Sequence, residues 1–376
     1  MVPSQPSDPS PGTLEADRGP SGPVADAPLR AIRHEYTRNW VPILTDLSAS
    51  LLVSTYQAGK LVVVGVRQGA LSLAYHNFER AMGIAARPGR LAVGTHRQVW
   101  FLRAAPEIAA RVEPAGRYDA CFLARSAHFT GEIQGHELAW SDEGLWVVNT
   151  LFSCLCTLDD RHSFVPRWRP PFISALAAED RCHLNGLALV DGRPRYVTAL
   201  AETDAPQGWR PRKATTGCLI DVPSGEVVVR GLAMPHSPRV HQGRVWLLDS
   251  GRGRLVVADP ARGTVDTVAE LPGYARGLAL LGPLAFVGLS KIRETSTFGG
   301  VPIAERRAAL KCGVAAVELT SGRPIALLEF HSGVEEIFDV QVLPGIRSPV
   351  ISGPHPEWDD TPPIWMVPTP AVQPPQ

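Results

Sequence analysis

With 376 residues, 44% of them hydrophobic, the chain can bury one large core or two ordinary ones. Lys plus Arg and Asp plus Glu balance at 37 each, which leaves no basic face for nucleic acid and no general field for anionic membranes. No stretch is apolar for long enough to span a bilayer, and the 34 glycines and 35 prolines suit a chain that turns every ten residues or so better than a mainly helical enzyme.

Residues 1–28, rich in Pro, Ser, Asp and Gly, cannot supply a core and are expected to form a disordered tail, as are the Pro-rich residues 356–376. One domain is expected between them, over 29–355. The first residues have neither a basic start nor an apolar run, so they do not read as a signal peptide. Cys121, Cys154, Cys156, Cys182, Cys218 and Cys312 form no CxxC pair and read as reduced, buried thiols, which points to the cytoplasm.

Residues 30–44 are a lead-in with Tyr36 and Trp40 as packing anchors. Three short apolar runs follow, 51–55, 60–66 and 70–78, broken by turns at 57–59 and 67–69. A second unit begins at Ala81 (AMGIAARPGRLAVG), a third at Gly135 (GHELAWSDEGLWVVN), and a fourth at His183 that resumes at Gly217. The fifth, 235–271, is complete, with apolar runs at 245–248, 255–258 and 264–269 and glycine turns between them. A sixth begins at Ala275 and resumes at Cys312, and residues 335–353 offer one further strand but too little for a whole unit. Short strands at even spacing mark a repeat β fold. The first unit lacks a clear inner strand and the last segment supplies one, so the expected fold is an all-β, six-bladed β-propeller closed by sharing a blade between the chain ends. If residues 40–47 supply their own inner strand, the count becomes seven.

In such a ring the starts of the inner strands and the loops between second and third strands share one face, called here the top face. Two long insertions, 201–216 and 291–311, fall in second-to-third-strand loops, and the connection 113–135 is expected to emerge on that face too. The inner-strand starts carry His136-Glu137, His183 with Asn185, His236 with Arg239, Arg276, and Glu335-Glu336 with Asp339. Packing alone would favour small or apolar residues at a narrow axis, so a polar axial pocket under two flaps is the site hypothesis.

His136, His183 and His236 come from separate blades, and neutral imidazole is a first-choice ligand for one divalent transition metal ion. The competing reading is that each histidine satisfies a backbone group in its own blade. His128, in the connection, is a weaker candidate. Glu137 and Glu336 are candidates for general base or further ligand, and Arg239, Arg276 and Asn185 for holding substrate, with pairing of the arginines to Glu137, Glu335, Glu336 or Asp339 as the alternative. Lys291, Arg293, Glu294 and Arg306 could gate a charged ligand, and 164–172 (FVPRWRPPF) reads as an inter-blade linker or partner surface. Ser54, Ser250 and Ser290 end apolar second strands without a nucleophile elbow, which argues against serine chemistry.

Residues 183–200, HLNGLALVDGRPRYVTAL, resemble the PNGLA segment of gluconolactonase and regucalcin-like six-bladed propellers, whose asparagine binds a divalent ion; the resemblance puts that role on Asn185. Arg276 stands where that family has an aspartate, which puts lactone hydrolysis in doubt. Across its whole length the sequence also resembles an uncharacterised bacterial family of propeller-like proteins through STYQAGKL (54–61), HELAW (136–140), HLNGLAL (183–189), MPHSPR (234–239), GLSKIRE (288–294) and EIFDV (336–340). That resemblance implies the fold and no activity. The functional expectation is a metal-assisted enzyme acting on a small polar or anionic substrate, with a non-catalytic ligand-binding or protein-interaction scaffold as the alternative. Neither nucleic acid nor membrane is expected as a partner.

Overall fold

The computed structural model describes residues 31–292, 299–359 and 363–368. Its strands form six sheets. Named from the inside outward, blade one is Asp339–Pro344, Ala49–Thr55, Lys60–Arg67 and Ala70–Asn77. Blade two is Ile84–Arg87, Arg90–Gly94, Gln98–Ala104 and Ala120–Phe129, and blade three is Gly135–Ser141, Gly144–Asn149, Cys154–Thr157 and Val165–Trp168. Blade four is Leu184–Val190, Arg193–Ala199, Gly217–Asp221 and Val227–Leu232; blade five is Pro235–His241, Arg244–Asp249, Arg254–Asp259 and Thr264–Glu270. Blade six is Tyr274–Leu281, Leu284–Ser290, Gly313–Glu318 and Pro324–Ser332. Each inner strand touches the next, and that of blade six touches that of blade one, so the sheets close into a six-bladed β-propeller.

The closing strand is Asp339–Pro344, which pairs antiparallel with Ala49–Thr55 in unbroken register, from Ser54 opposite Asp339 to Ala49 opposite Pro344. All seven residues of Ala49–Thr55 are buried, because a second strand has a neighbouring blade on each face. The seven-bladed alternative fails at Trp40–Asp46, which is a helix rather than an inner strand. Trp40 is fully buried there and stacks on Phe286 at 6.0 Å, whereas Tyr36 is exposed.

Two further segments cap sheet edges. Arg33–Tyr36 adds an exposed antiparallel strand outside Pro324–Ser332, and Pro349–Ser352 adds a parallel strand outside Ala120–Phe129. Covering an edge removes a template for intermolecular pairing. Two sequence expectations need correction here. The connection 113–135 contains blade two's outer strand, so residues 113–119 lie between third and fourth strands, on the bottom face; and Val165–Trp168 is blade three's outer strand, so 164–172 is no simple linker. Residues 1–28, expected as a tail, lie outside the described residues. In the other expected tail, Pro356–Trp358 makes a 3-10 turn and Asp359 accepts the Asn77 backbone N–H at 2.7 Å.

The inner strands are stitched pairwise. Asp339 Oδ2 accepts the N–H of Ile84 at 2.8 Å, Glu137 Oε2 accepts that of Leu187 at 3.0 Å, and Ser237 Oγ accepts that of Gly277 at 3.2 Å. Blades one, three and five thus each supply a polar side chain to the next blade. Blade six answers with glycine: Gly277 has φ +81°, and a Cβ there would lie 2.6 Å from Val340 N. Second-strand hydroxyls add the outer stitches, Ser54 to Met82 O at 2.5 Å and Ser290 to Ile337 O at 3.2 Å, which explains these serines without any nucleophilic role. All six cysteines are buried and unpaired, and among the described residues no helix is long and apolar enough to cross a membrane.

Candidate functional site at the top of the axis

The inner-strand starts bring His136, His183, His236, Arg276 and Glu336 together at the top of the axis. The His136 ring centroid lies 4.9 Å from that of His183 and 6.1 Å from that of His236. Arg276, 5% exposed, reaches into this group: Nη2 donates to His136 Nε2 at 2.9 Å, Nη1 donates to Glu336 Oε1 at 3.1 Å, and the guanidinium stacks on Phe338 at 3.5 Å.

The hydrogen bonds fix the histidine tautomers. Thr150 has one hydroxyl proton and donates it to Leu184 O at 2.6 Å, so at its 2.9 Å contact with His136 Nδ1 it must accept. His136 therefore carries its proton on Nδ1 and offers a lone pair at Nε2, which Arg276 takes. His236 Nδ1 donates to Met234 O at 2.8 Å, and His183 Nδ1 donates to both oxygens of Asp180 at 2.9 and 3.0 Å. Among the described residues, Nε2 of His183 and Nε2 of His236 have no hydrogen-bond partner. Burial, and then the Arg276 charge, hold His136 and His236 well below the usual imidazole range, so both stay neutral and keep their lone pairs at neutral pH.

Glu137 and Arg239, expected to act on substrate, lie in a second layer and pair with each other. Arg239 also donates to Leu278 O at 2.9 Å and Pro238 O at 2.8 Å, and its Nη2 stands 4.0 Å from Asp339 Oδ1. Burial pushes the Glu137 carboxyl up to about 7, against the pull of Arg239 and with the help of the Asp339 charge. Burial raises Asp339 as well. An axial cavity of about 220 Å³ opens below this layer, lined by Glu137, Arg239, Gln341 and Trp140. A larger cleft of about 770 Å³ lies between blades four and five, where Arg195 and Asp221 neutralise each other at 2.9 Å, away from the histidines.

The two insertions meet over the top face. Trp209 of the first, fully buried, packs in one apolar cluster with Val301, Ile303 and Leu310 of the second and with Tyr274.

A family profile described as a domain of unknown function (DUF4915) matches residues 38–352. The chain belongs to the DUF4915 family. No curated protein matches it. Among solved structures, a chain from a crystal structure of a nidogen/laminin complex is similar at TM-score 0.51 and 10% identity, over 79% of this chain and 99% of that one. A protein of unknown function from Bacteroides caccae is similar at TM-score 0.47 and 10% identity, over 78% and 98%. The first of these supports the fold alone.

Within this DUF4915 chain, Asn185 is 2% exposed; its Oδ1 accepts from Thr198 at 2.6 Å, and its Nδ2 has no partner among the described residues. Glu335 meets Lys291 through its backbone carbonyl, at 3.0 Å from the lysine N–H. His128 sits on blade two's outer strand within 3.0 Å of Ser163 O, and Arg306 is exposed; Arg293 and Glu294 lie outside the described residues. Among the described residues no three His, Cys, Asp or Glu side chains are placed to share one ion. Sequence reasoning missed Asp180, Thr150, Phe338 and Trp209. The first had a usable signal, an acid three residues before His183; the others become neighbours of the site only through the ring.

Proposed function

We propose that the top-face centre binds a small polar molecule that donates hydrogen bonds to His183 and His236, and that His183 is the group able to take a proton from it. One observation carries the reading: three imidazoles are anchored through Nδ1, and two of their Nε2 lone pairs remain open at the axis. A lone pair attracts an O–H, an N–H or a cation and repels an anion. Arg276, the cation that would hold an anion, is already committed to Glu336 and His136, so the polar part of the sequence expectation gains support and the anionic part loses it. Asp180 beside His183 is the orienting carboxylate that a general base needs.

A divalent transition metal is the second reading, favoured by the same anchoring, since metal-bound imidazoles usually donate their other N–H to a carboxylate or carbonyl. It would require Arg276 to leave His136 Nε2. Native mass spectrometry and elemental analysis of untagged protein test both readings. The expected result is a bound small molecule or metal that the folded double variant H183A/H236A lacks. Identical spectra for the two proteins, with neither species bound, would overturn both readings and favour an interaction scaffold.

A further inference from the structure

The turn before blade four joins the site to its cover. Asp180 Oδ2 receives two donors, His183 Nδ1 at 2.9 Å and the indole Nε1 of Trp209 at 2.9 Å, and the Trp209 ring lies 4.4 Å from the His183 ring. Asp180 is 4% exposed and Trp209 is fully buried, so this carboxylate serves the site and the cap with little competition from water. The same turn holds the insertion twice more: Arg181 donates to Asp204 at 2.6 Å, and Gln207 donates its backbone N–H to Glu179 O at 3.0 Å. Asp180 and His183 both have positive φ, 47° and 52°, a conformation that costs a non-glycine residue free energy and persists only where surrounding contacts impose it.

We propose that Asp180 is a positioning residue with two duties: it fixes the tautomer of His183, and it latches the 201–216 cap through Trp209, so that lifting the cap frees the carboxylate that orients the imidazole. This deepens the reading of His183 given above and rests on it for its functional meaning. Both duties can be measured without knowing the ligand. Ring-nitrogen NMR of the full-length protein should find His183 with its proton on Nδ1, and Asp180→Leu should abolish that preference. Trp209→Phe keeps an aromatic ring but removes the indole donor; it should leave the Nδ1–H tautomer intact while the amides of Gln207 and Arg210 exchange about tenfold faster, the effect of losing one buried hydrogen bond. A wild-type Nε2–H tautomer, or an unchanged tautomer in Asp180→Leu, would overturn the positioning role. Unchanged exchange in Trp209→Phe would overturn the latch. If Asp180→Leu does not fold, the wild-type spectrum and Trp209→Phe still decide. Wild-type protein that holds neither ligand nor metal in the comparison with H183A/H236A would remove the binding reading and leave both of these outcomes standing.

Discussion

Glu137 follows His136 in the chain, yet the two do different work. His136 faces the top-face centre through Nε2, while Glu137 accepts the Leu187 N–H and pairs with Arg239 one layer down. The burial of that carboxylate has a measurable consequence. Its folded value, about 7, lies above its ordinary 4.5, so the folded chain retains a proton that the unfolded chain releases. The associated stability is complete below about 4.5 and is lost as pH rises through about 7. E137Q, which cannot titrate, should flatten the fall in urea midpoint across that window; an equally steep fall in the variant would exclude Glu137 as its source. At this scale the sequence was partly legible. It grouped His136, His183, His236 and Arg276 because each sits at an inner-strand start, but the pairing of Glu137 with Arg239 depends on the depth of each side chain along the axis, which spacing does not encode.

Strands were legible in proportion to their burial. Ala49–Thr55 and Leu284–Ser290 are buried throughout and stand out as apolar runs. The outer strands Ala120–Phe129 and Val165–Trp168 are half exposed, and the second carries a proline that an edge strand tolerates, so each reads as connection. The helix Trp40–Asp46 is short, with no acidic residue in its first turn and no basic residue in its last to announce it, and its two buried residues, Trp40 and Leu44, fit a strand lead-in equally well by eye. The inner-strand glycines were visible as letters but not as contacts. Gly277 combines φ +81° with close approach to Val340 N, so G277A should cost about 2 kcal/mol or more from the left-handed backbone and the clash together, read as a lower denaturation midpoint with the slope unchanged. A midpoint equal to wild type would mean that blades six and one have room to separate.

Closure was the most legible property of the whole molecule, because a surplus strand late in the chain matched a deficit in the first unit. The strap beyond it was not: Pro349–Ser352 runs parallel on the outside of blade two, and Asp359 then reaches the outer strand of blade one, a path no local pattern predicts. Two truncations separate the contributions. Ending the chain after Ser348 removes buried Val350 and Ile351 but leaves the ring closed, and should cost roughly 3 kcal/mol while unfolding stays cooperative. Ending it after Gly333 removes the inner strand of blade one, and should abolish a single sharp transition; a sharp transition there would mean that the open ring is stable by itself.

The closing strand also sets an order in time. Glu336, Phe338 and Asp339 are made after every strand of blades two to six, and during synthesis from the N-terminus neither layer of the axis can be complete until the ribosome has passed them. A nascent chain stalled earlier can hold at most five finished blades and exposes the edge of Ala49–Thr55 and the side of Ile84–Arg87 that the last inner strand would cover. The axial centre is therefore completed late and all at once, and an unfinished chain carries unpaired strand edge that the finished ring does not.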